Sequence, residues 1–497
     1  MTALRRRVAP IIGAAVTATM VVSAAFGPVG AADGDLDPTF SGDGRVVSDF
    51  GFDDRADGVA VQPNGAIVVA GTSCGGDFLV ARYNPDGTPD ATFDGDGHVC
   101  IDVGAGSSDR GEEILVLADG RLVVAGSSAG DFALVRLLAN GSVDPSFGTG
   151  GRATYDFGGT DELRDAALAP DGAIVMVGQT TTPGCTLAPT MPGQTSGVAV
   201  ARALSNGAPD PSFGGDGTVV LADPNVVQRG FAVAVQPDGR VIVAGLMASC
   251  SRVSIHFLLV RLTVTGAPDP TFTPANPLAA PGPDAAVDVA VQPDGKIVVA
   301  LDTFVGPATL PARDDAFTVL RFNPDGSADT TFSGDGVSTA LFGEGVNATA
   351  AAIALQGDKI VVGGSADGDF ALARFNSDGS LDPAFGGDGT VVTDFGGVDV
   401  LTALAVQPDG KLVAAGRTGT DVALARYGTG GTTTPTTATT TSTTTTTSPT
   451  TTTSTVPSPF GPACVVLQQL RSRFAADPWL SSYVPTVDAA RAALRCP

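Results

Sequence analysis

A chain of 497 residues with 52 acidic side chains against 28 basic ones, and a formal charge of −24, lacks the basic patches that nucleic acid or an anionic membrane would call for. Only 16% of the residues are charged, while 65 glycines and 35 prolines suit an array of short strands joined by tight turns. With only two histidines, His98 and His256, set in different repeats, histidine-dependent hydrolysis and histidine-ligated metal are disfavoured, and both residues read as structural.

The chain opens with a predicted export signal over residues 1–31. Arg5, Arg6 and Arg7 form its charged start, Val8 to Phe26 its apolar stretch, and Val29-Gly30-Ala31 its small-residue cleavage site. The mature protein is then expected to be secreted or associated with the cell envelope, with no membrane insertion after cleavage. Six cysteines in an oxidising compartment should all pair, as Cys74–Cys100, Cys185–Cys250 and Cys464–Cys496.

From residue 32 to residue 431 one phrase recurs. Its "DPTF" element opens at Asp37, Asp90, Asp144, Asp210, Asp269, Asp329 and Asp382, at steps of 53, 54, 66, 59, 60 and 53 residues. A period of this size marks one supersecondary unit repeated along the chain. Each copy reads as four strands: a (VVTDF, from Val391), b (AVAV, from Ala232), c (KIVVA, from Lys296) and d (DFALAR, from Asp369). Between b and c lies Pro-Asp-Gly or a relative, as in Pro237-Asp238-Gly239, a strong hairpin signal. The d-to-a connection is longer, roughly 15 residues, beyond ordinary hairpin length. The a–b–c–d order is therefore expected to form one antiparallel sheet, and seven such sheets a seven-bladed, all-β propeller of four-stranded blades. That phase starts the array on strand a and ends it on strand d, so no blade should be shared between the two ends.

The phrases VQPDGKIVVA (from Val291), GDFALAR (from Gly368) and LDPAFGGDG (from Leu381) resemble the delta-60 repeat, an uncharacterised bacterial repeat. That resemblance implies a propeller and no particular activity. Copies 3 and 5 depart from the pattern, with Gly148-Thr149-Gly150-Gly151 and Thr273-Pro274-Ala275-Asn276 in place of Gly-Gly-Asp-Gly.

An arginine ends strand d in every copy: Arg82, Arg136, Arg202, Arg261, Arg321, Arg374 and Arg426. The first six each stand eight residues before the next "DPTF" aspartate. The spacing predicts structural ion pairs such as Arg82–Asp90, Arg136–Asp144 and Arg374–Asp382. The Asp94-Gly95-Asp96-Gly97 type of turn invites calcium, but the distal ligands of a calcium loop are missing and turn chemistry explains it. No cofactor and no metal are expected.

Residues 432–459 are rich in Thr, Ser and Pro and cannot bury a core, so they read as a disordered linker. Residues 460–497 carry apolar residues at helical spacing (Val466, Leu467, Leu470, Phe474; then Val487, Ala490, Leu494) and read as a small helical hairpin stapled by Cys464–Cys496.

The sharpest functional signal is asymmetric. The c–d loops of copies 3, 4 and 5 are long (179–197, 246–255 and 302–316), and those of the other copies short. Insertions on one face of a repeat protein often mark its binding face. Candidate contact residues there are Met191, Arg252, Phe304, Arg313, Asp314 and Asp315. The reading is a monomeric, non-enzymatic scaffold that binds an unidentified macromolecule or cell-surface component. The alternatives are a polysaccharide- or polymer-acting enzyme with a carboxylate-only site, and a structural envelope component. With no Trp before residue 479 and only Tyr83, Tyr155 and Tyr427 in the repeats, aromatic sugar platforms are scarce.

Overall fold

The structure, a computed structural model, describes residues 32–104, 106, 108–183, 194–249, 255–275, 285–305 and 314–430. The chain divides into two compact units, 1–432 and 433–497. The predicted signal, linker, helical hairpin and the cysteines at 185, 250, 464 and 496 lie outside the described residues.

Twenty-eight strands and no helix make up the described residues. A short β1 (Asp33–Leu36) and β2 (Arg45–Ser48) come first. Blade 1 is β3 (Arg55–Val61), β4 (Ile67–Ser73), β5 (Asp77–Tyr83) and β6 (His98–Ile101). Blade 2 is β7 (Asp109–Val116), β8 (Leu122–Ser128), β9 (Asp131–Leu137) and β10 (Arg152–Tyr155). Blade 3 is β11 (Asp161–Leu168), β12 (Ile174–Pro183), β13 (Gln194–Ala203) and β14 (Thr218–Leu221). Blade 4 has three strands among the described residues, β15 (Val226–Val235), β16 (Val241–Ser249) and β17 (Ile255–Leu262). Blade 5 is β18 (Ala285–Val291), β19 (Ile297–Val305), β20 (Asp314–Phe322) and β21 (Val337–Ala340). Blade 6 is β22 (Ala348–Gln356), β23 (Lys359–Ala366), β24 (Asp369–Phe375) and β25 (Thr390–Thr393). Blade 7 is β26 (Asp399–Val406), β27 (Leu412–Thr418) and β28 (Asp421–Thr429), completed by β2.

The architecture is the predicted seven-bladed propeller, but the phase of the blade is not. Six of the seven sheets run b–c–d and then take strand a of the following copy as the outer strand, and blade 4 shows b–c–d among the described residues. Strand a was expected to open its own sheet because the d-to-a connection is long. That connection is in fact a compact pair of turns folded back on strand d: the Phe93 amide donates to the Asp90 carbonyl, the Gly97 amide to Phe93, and the Arg82 amide to Gly97. Length misleads here because the loop is internally hydrogen-bonded. One consequence overturns the expected closure. The strand a left over at the N-terminus, β2, pairs antiparallel with the last strand, β28 (Val46 opposite Leu424), so the ring closes by sharing blade 7 between the two ends.

The phase also relocates the one described disulfide. Cys74 and Cys100 are bonded, with Cα atoms 6.3 Å apart, as the pairing predicted. They join the β4–β5 turn to β6 inside blade 1, however, and do not bridge two blades. Copy 5 departs at Thr273-Pro274-Ala275, which follows blade 4, and residues 276–284 lie outside the described residues. Copy 3 still forms its outer strand, β10.

Strands c and d are apolar almost throughout because the sheets stack face to face around the ring. Seven apolar clusters form, each between two neighbouring blades. The phenylalanine of each "DPTF" element plugs one of them: Phe40, Phe93, Phe147, Phe213, Phe272, Phe332 and Phe385 are all buried.

Above each of these rings, in six of the seven cases, stands the arginine of strand d. The guanidinium carbon lies 4.5–4.7 Å from the ring centroid for Arg82, Arg136, Arg261, Arg321, Arg374 and Arg426. Each arginine also reaches its aspartate, at 2.8 Å for Arg82–Asp90 and Arg136–Asp144 and 2.9 Å for Arg374–Asp382. Arg426 makes the equivalent pair with Asp37 at 3.0 Å, across the ring closure. A third contact crosses to the next blade, where Arg82 donates to the Ala139 carbonyl at 2.6 Å and Arg136 to Ser205 at 2.6 Å. One side chain thus ties its own blade's turn, the plugging phenylalanine and the neighbouring blade.

Candidate functional site: the central channel

The innermost strand of every blade carries a β-bulge at the same place. The extra residue is Asp57, Glu112, Arg164, Phe231, Val287, Ala351 or Thr402. A bulge bends the strand and re-aims the inserted side chain. It also drives the strand-b backbone against strand c, where six blades answer with the glycine of VVAG. A Cβ on Gly71 or Gly126 would run into the carbonyl oxygen of Arg55 or Arg110.

All seven bulge residues line one cavity of about 420 Å³ on the ring axis. Its wall is uneven. Blades 1, 2, 3 and 5 supply Asp57, Glu112, Glu113, Arg164, Asp165 and Asp288, and blades 4, 6 and 7 supply Phe231, Ala351 and Thr402. Sequence reasoning passed over these groups, although charges interrupting otherwise apolar b strands were a readable signal.

Their partners are partly one another. Arg55 pairs with Asp57 at 2.8 Å, and Arg110 with Glu112 at 2.5 Å. Asp165 accepts the amides of Ala166 and, from the next blade, Val233, both at 2.7 Å. Asp288 accepts those of Val289 and Ile353, both at 2.6 Å, again joining two blades. Glu113 accepts the Ile114 amide at 2.9 Å. These carboxyls touch the lumen yet are enclosed by protein, so burial disfavours their charge. Burial, with the Asp288 charge added, pushes the Asp165 carboxyl up to about 8, and burial pushes Asp288 up to about 6. Glu113 is raised well above the ordinary range by burial and by Asp165. Glu112 is raised to about 8 by burial and by Asp57, against its arginine neighbours.

A testable pH dependence follows. A carboxyl whose folded pKa exceeds its unfolded value, about 4, stabilises the fold fully below that value and loses the contribution as pH rises through the folded pKa. For Asp288 the loss runs from about pH 4 to about 6, and for Asp165 from about pH 4 to about 8. The urea midpoint should fall between about pH 5 and about pH 8.5. Glu113→Gln, which can keep the Ile114 bond and removes a charge beside Asp165, should flatten that fall. A midpoint that rises over the same range, or an unchanged slope in the variant, would contradict this picture of the channel.

Of the predicted contact residues, Phe304, Asp314 and Asp315 stand elsewhere, on the face where strands c and d turn. Phe304 and Asp315 face each other in the β19–β20 register, as do Val305 and Asp314; Met191, Arg252 and Arg313 lie outside the described residues. Much of what was read as loop is strand: β12 and β13 remain paired out to Pro183 opposite Gln194. The histidines are apart from each other, His98 against the Phe50 ring at 4.7 Å and His256 paired with Met247 in blade 4. Tyr83, Tyr155 and Tyr427 are all buried, their hydroxyls bonded to Ser48, Gly207 and Thr393, so none offers a sugar platform. In the Asp-Gly turns the aspartates serve the backbone, as where Asp96 accepts the His98 amide at 3.1 Å. No helix among the described residues is long and apolar enough to cross a membrane.

Solved structures similar in fold include YCF48 from Cyanidioschyzon merolae (12% identity, 77% of this chain and 98% of that one, TM-score 0.41). A polysaccharide lyase, an ulvan lyase with a bound sugar fragment, is similar at 11% identity over 78% of this chain and 96% of its own, with a TM-score of 0.40. A glucose dehydrogenase is similar at 15% identity over 63% and 95%, with a TM-score of 0.34. Likeness at this level speaks for neither ligand nor activity. No curated protein matches the sequence. Residues 62–93, 117–147, 236–272, 314–332, 356–385 and 407–434 match the family model described as "Domain of unknown function (DUF5122) beta-propeller". Along six of its seven repeats, then, the chain is similar to a β-propeller domain to which no function is attached.

Proposed function

We propose that the chain is a secreted, non-enzymatic scaffold of delta-60-type repeats that binds a macromolecule or envelope surface through the face carrying its long hairpins. One observation carries the reading. Three adjacent blades lengthen the same hairpin: β12–β13, β16–β17 and β19–β20 have strands of eight to ten residues, while the corresponding strands of blades 1 and 2 have seven. Paired backbone projects the added residues beyond the rim as ordered ribs, a form suited to contact with an extended surface. The predicted signal and the Cys74–Cys100 bond favour an oxidising, extracellular setting.

The test is retention on insoluble peptidoglycan and on immobilised polysaccharides. It compares the full chain with a variant in which residues 182–195 and 304–315 are replaced by Asn-Gly turns. Retention should drop roughly ten-fold or more, as expected when a few central contacts carry binding. Equal retention of both proteins would refute the hairpin face. The channel favours one rival, a carboxylate-only enzyme, because several carboxyls with raised pKa values share one cavity. Release of soluble products by the full chain, abolished in Glu113→Gln, would establish that reading instead.

A further inference from the structure

Three aspartates converge at four consecutive blade junctions, on the hairpin face and away from the channel. Asp77 opens β5, Asp102 follows β6 and Asp109 opens β7 of the next blade. Asp131, Asp156 and Asp161 repeat the arrangement between blades 2 and 3, and Asp369, Asp394 and Asp399 between blades 6 and 7. Asp421, Asp49 and Asp54 form it across the ring closure. In each group one oxygen from every carboxylate lies within 4.8 Å of the others.

The backbone builds these groups. The inner aspartate's amide donates to the c–d turn of the preceding blade, Asp161 to Gly130 at 2.6 Å and Asp54 to Thr420 at 2.7 Å. Its Oδ2 accepts the amide that follows the outer aspartate, Phe157 to Asp161 at 2.8 Å and Phe395 to Asp399 at 2.7 Å. That leaves Oδ1. Asp161 and Asp399 are completely buried, and the Oδ1 of each has no hydrogen-bond partner. Thr180, opposite Asp161 in the β11–β12 register and equally buried, likewise keeps its hydroxyl without a partner. A buried carboxylate oxygen without a donor is costly unless something positive meets it, and among the described residues no ion pair to Asp161 or Asp399 is found.

We propose that two of these junctions, between blades 2 and 3 and between blades 6 and 7, are binding sites for a hard divalent cation of the calcium type, each clamping one blade to the next. The donors are oxygen only, which suits calcium and gives nothing to the nitrogen- and sulfur-seeking metals. Blades 3, 4 and 5 lack the group. The residue five places before the blade arginine is Gly197, His256 and Ala316 there, where the other blades have aspartate. The acidic junctions and the lengthened hairpins thus occupy complementary arcs of one face. The inference does not depend on any macromolecular ligand.

The test uses the full chain stripped with EDTA and titrated with calcium chloride by calorimetry, with melting followed in parallel. Uptake should approach two ions per chain, one at each of the two junctions. The melting midpoint should rise by roughly 5 °C or more at about 1 mM calcium, as for any ligand bound only by the folded state. Asp131→Asn and Asp369→Asn alter partly exposed members that do not anchor the turns. Each should remove one ion, and the double variant two. Calcium uptake undiminished in the double variant would place the ions elsewhere and overturn the proposal. So would a midpoint indifferent to calcium up to about 10 mM, beyond the range of weak extracellular sites.

Discussion

Deleting residues 33–48 is expected to abolish the folded ring, not merely to shorten it. Those residues supply β1 and β2, which both pair with the outer edge of β28. They also supply Phe40, completely buried between blades 7 and 1. The loss of a buried phenylalanine side chain costs about 3–5 kcal/mol. Removing Asp37 strands Arg426, whose side chain is 4% exposed, and breaking a buried pair from one side costs a further ~3–5 kcal/mol. Asp33, the partner of Arg374 at 2.8 Å, goes as well. Against a total stability of about 5–15 kcal/mol these losses leave little. The deleted protein should be recovered as aggregate, or without a cooperative melt by circular dichroism. Phe40→Ala, which keeps the strand pairing, should fold with a lowered midpoint. A deletion variant that melts cooperatively at the parent temperature would show that the shared blade is not what holds the ring.

The same closure shows which parts of the fold were legible. The repeat period, the Pro-Asp-Gly turn and the near-continuous apolar runs of strands c and d are local signals, and they lead to stacked antiparallel sheets. Where one blade stops and the next begins is not local. Strand a lies beside strand d of the preceding copy because the turns between Asp90 and Gly97 close on themselves, and only hydrogen bonds reveal this. The Cys74–Cys100 pair was readable from proximity along the ring whichever blade owned strand a, so its pairing was reached while its placement was not. The channel was harder. A charge at Asp57, Glu112, Arg164 or Asp288 looks like a solvent-facing residue in an alternating strand, and the bulge that turns the inserted residue inward leaves no composition mark of its own. The aspartate junctions had a mark that only the structure makes meaningful: Asp77 and Asp102, Asp131 and Asp156, and Asp369 and Asp394 are each 25 residues apart.

Arg374→Ala should destabilise the propeller by about 3–5 kcal/mol, the range for breaking a buried ion pair from one side. The guanidinium is 5% exposed and its partner Asp382 9%. Besides Asp382 it donates to Asp33 and to Gln356 and lies 4.7 Å from the Phe385 ring centroid, so alanine removes an ion pair, a strand tether and a cation–π contact at once. Lys359, 3.4 Å from Asp382, offers partial compensation and draws the expectation toward the lower end. Arg374→Lys should recover only part of the loss, because an ammonium cannot fork between Asp382 and Asp33. The effect should also depend on pH. Burial works to raise the Asp382 carboxyl, yet the Ala384 amide, Arg374 and Lys359 together hold it below its ordinary range. A depressed carboxyl contributes stability above its unfolded pKa, about 4, and loses it as pH falls through the folded value. The gap between Arg374→Ala and the parent in urea should therefore narrow below about pH 4 and be widest near neutrality. Equal midpoints at neutral pH would mean that the arginine is not a structural tie. Reduced retention on peptidoglycan at unchanged midpoint would make the ring of arginines a binding surface instead.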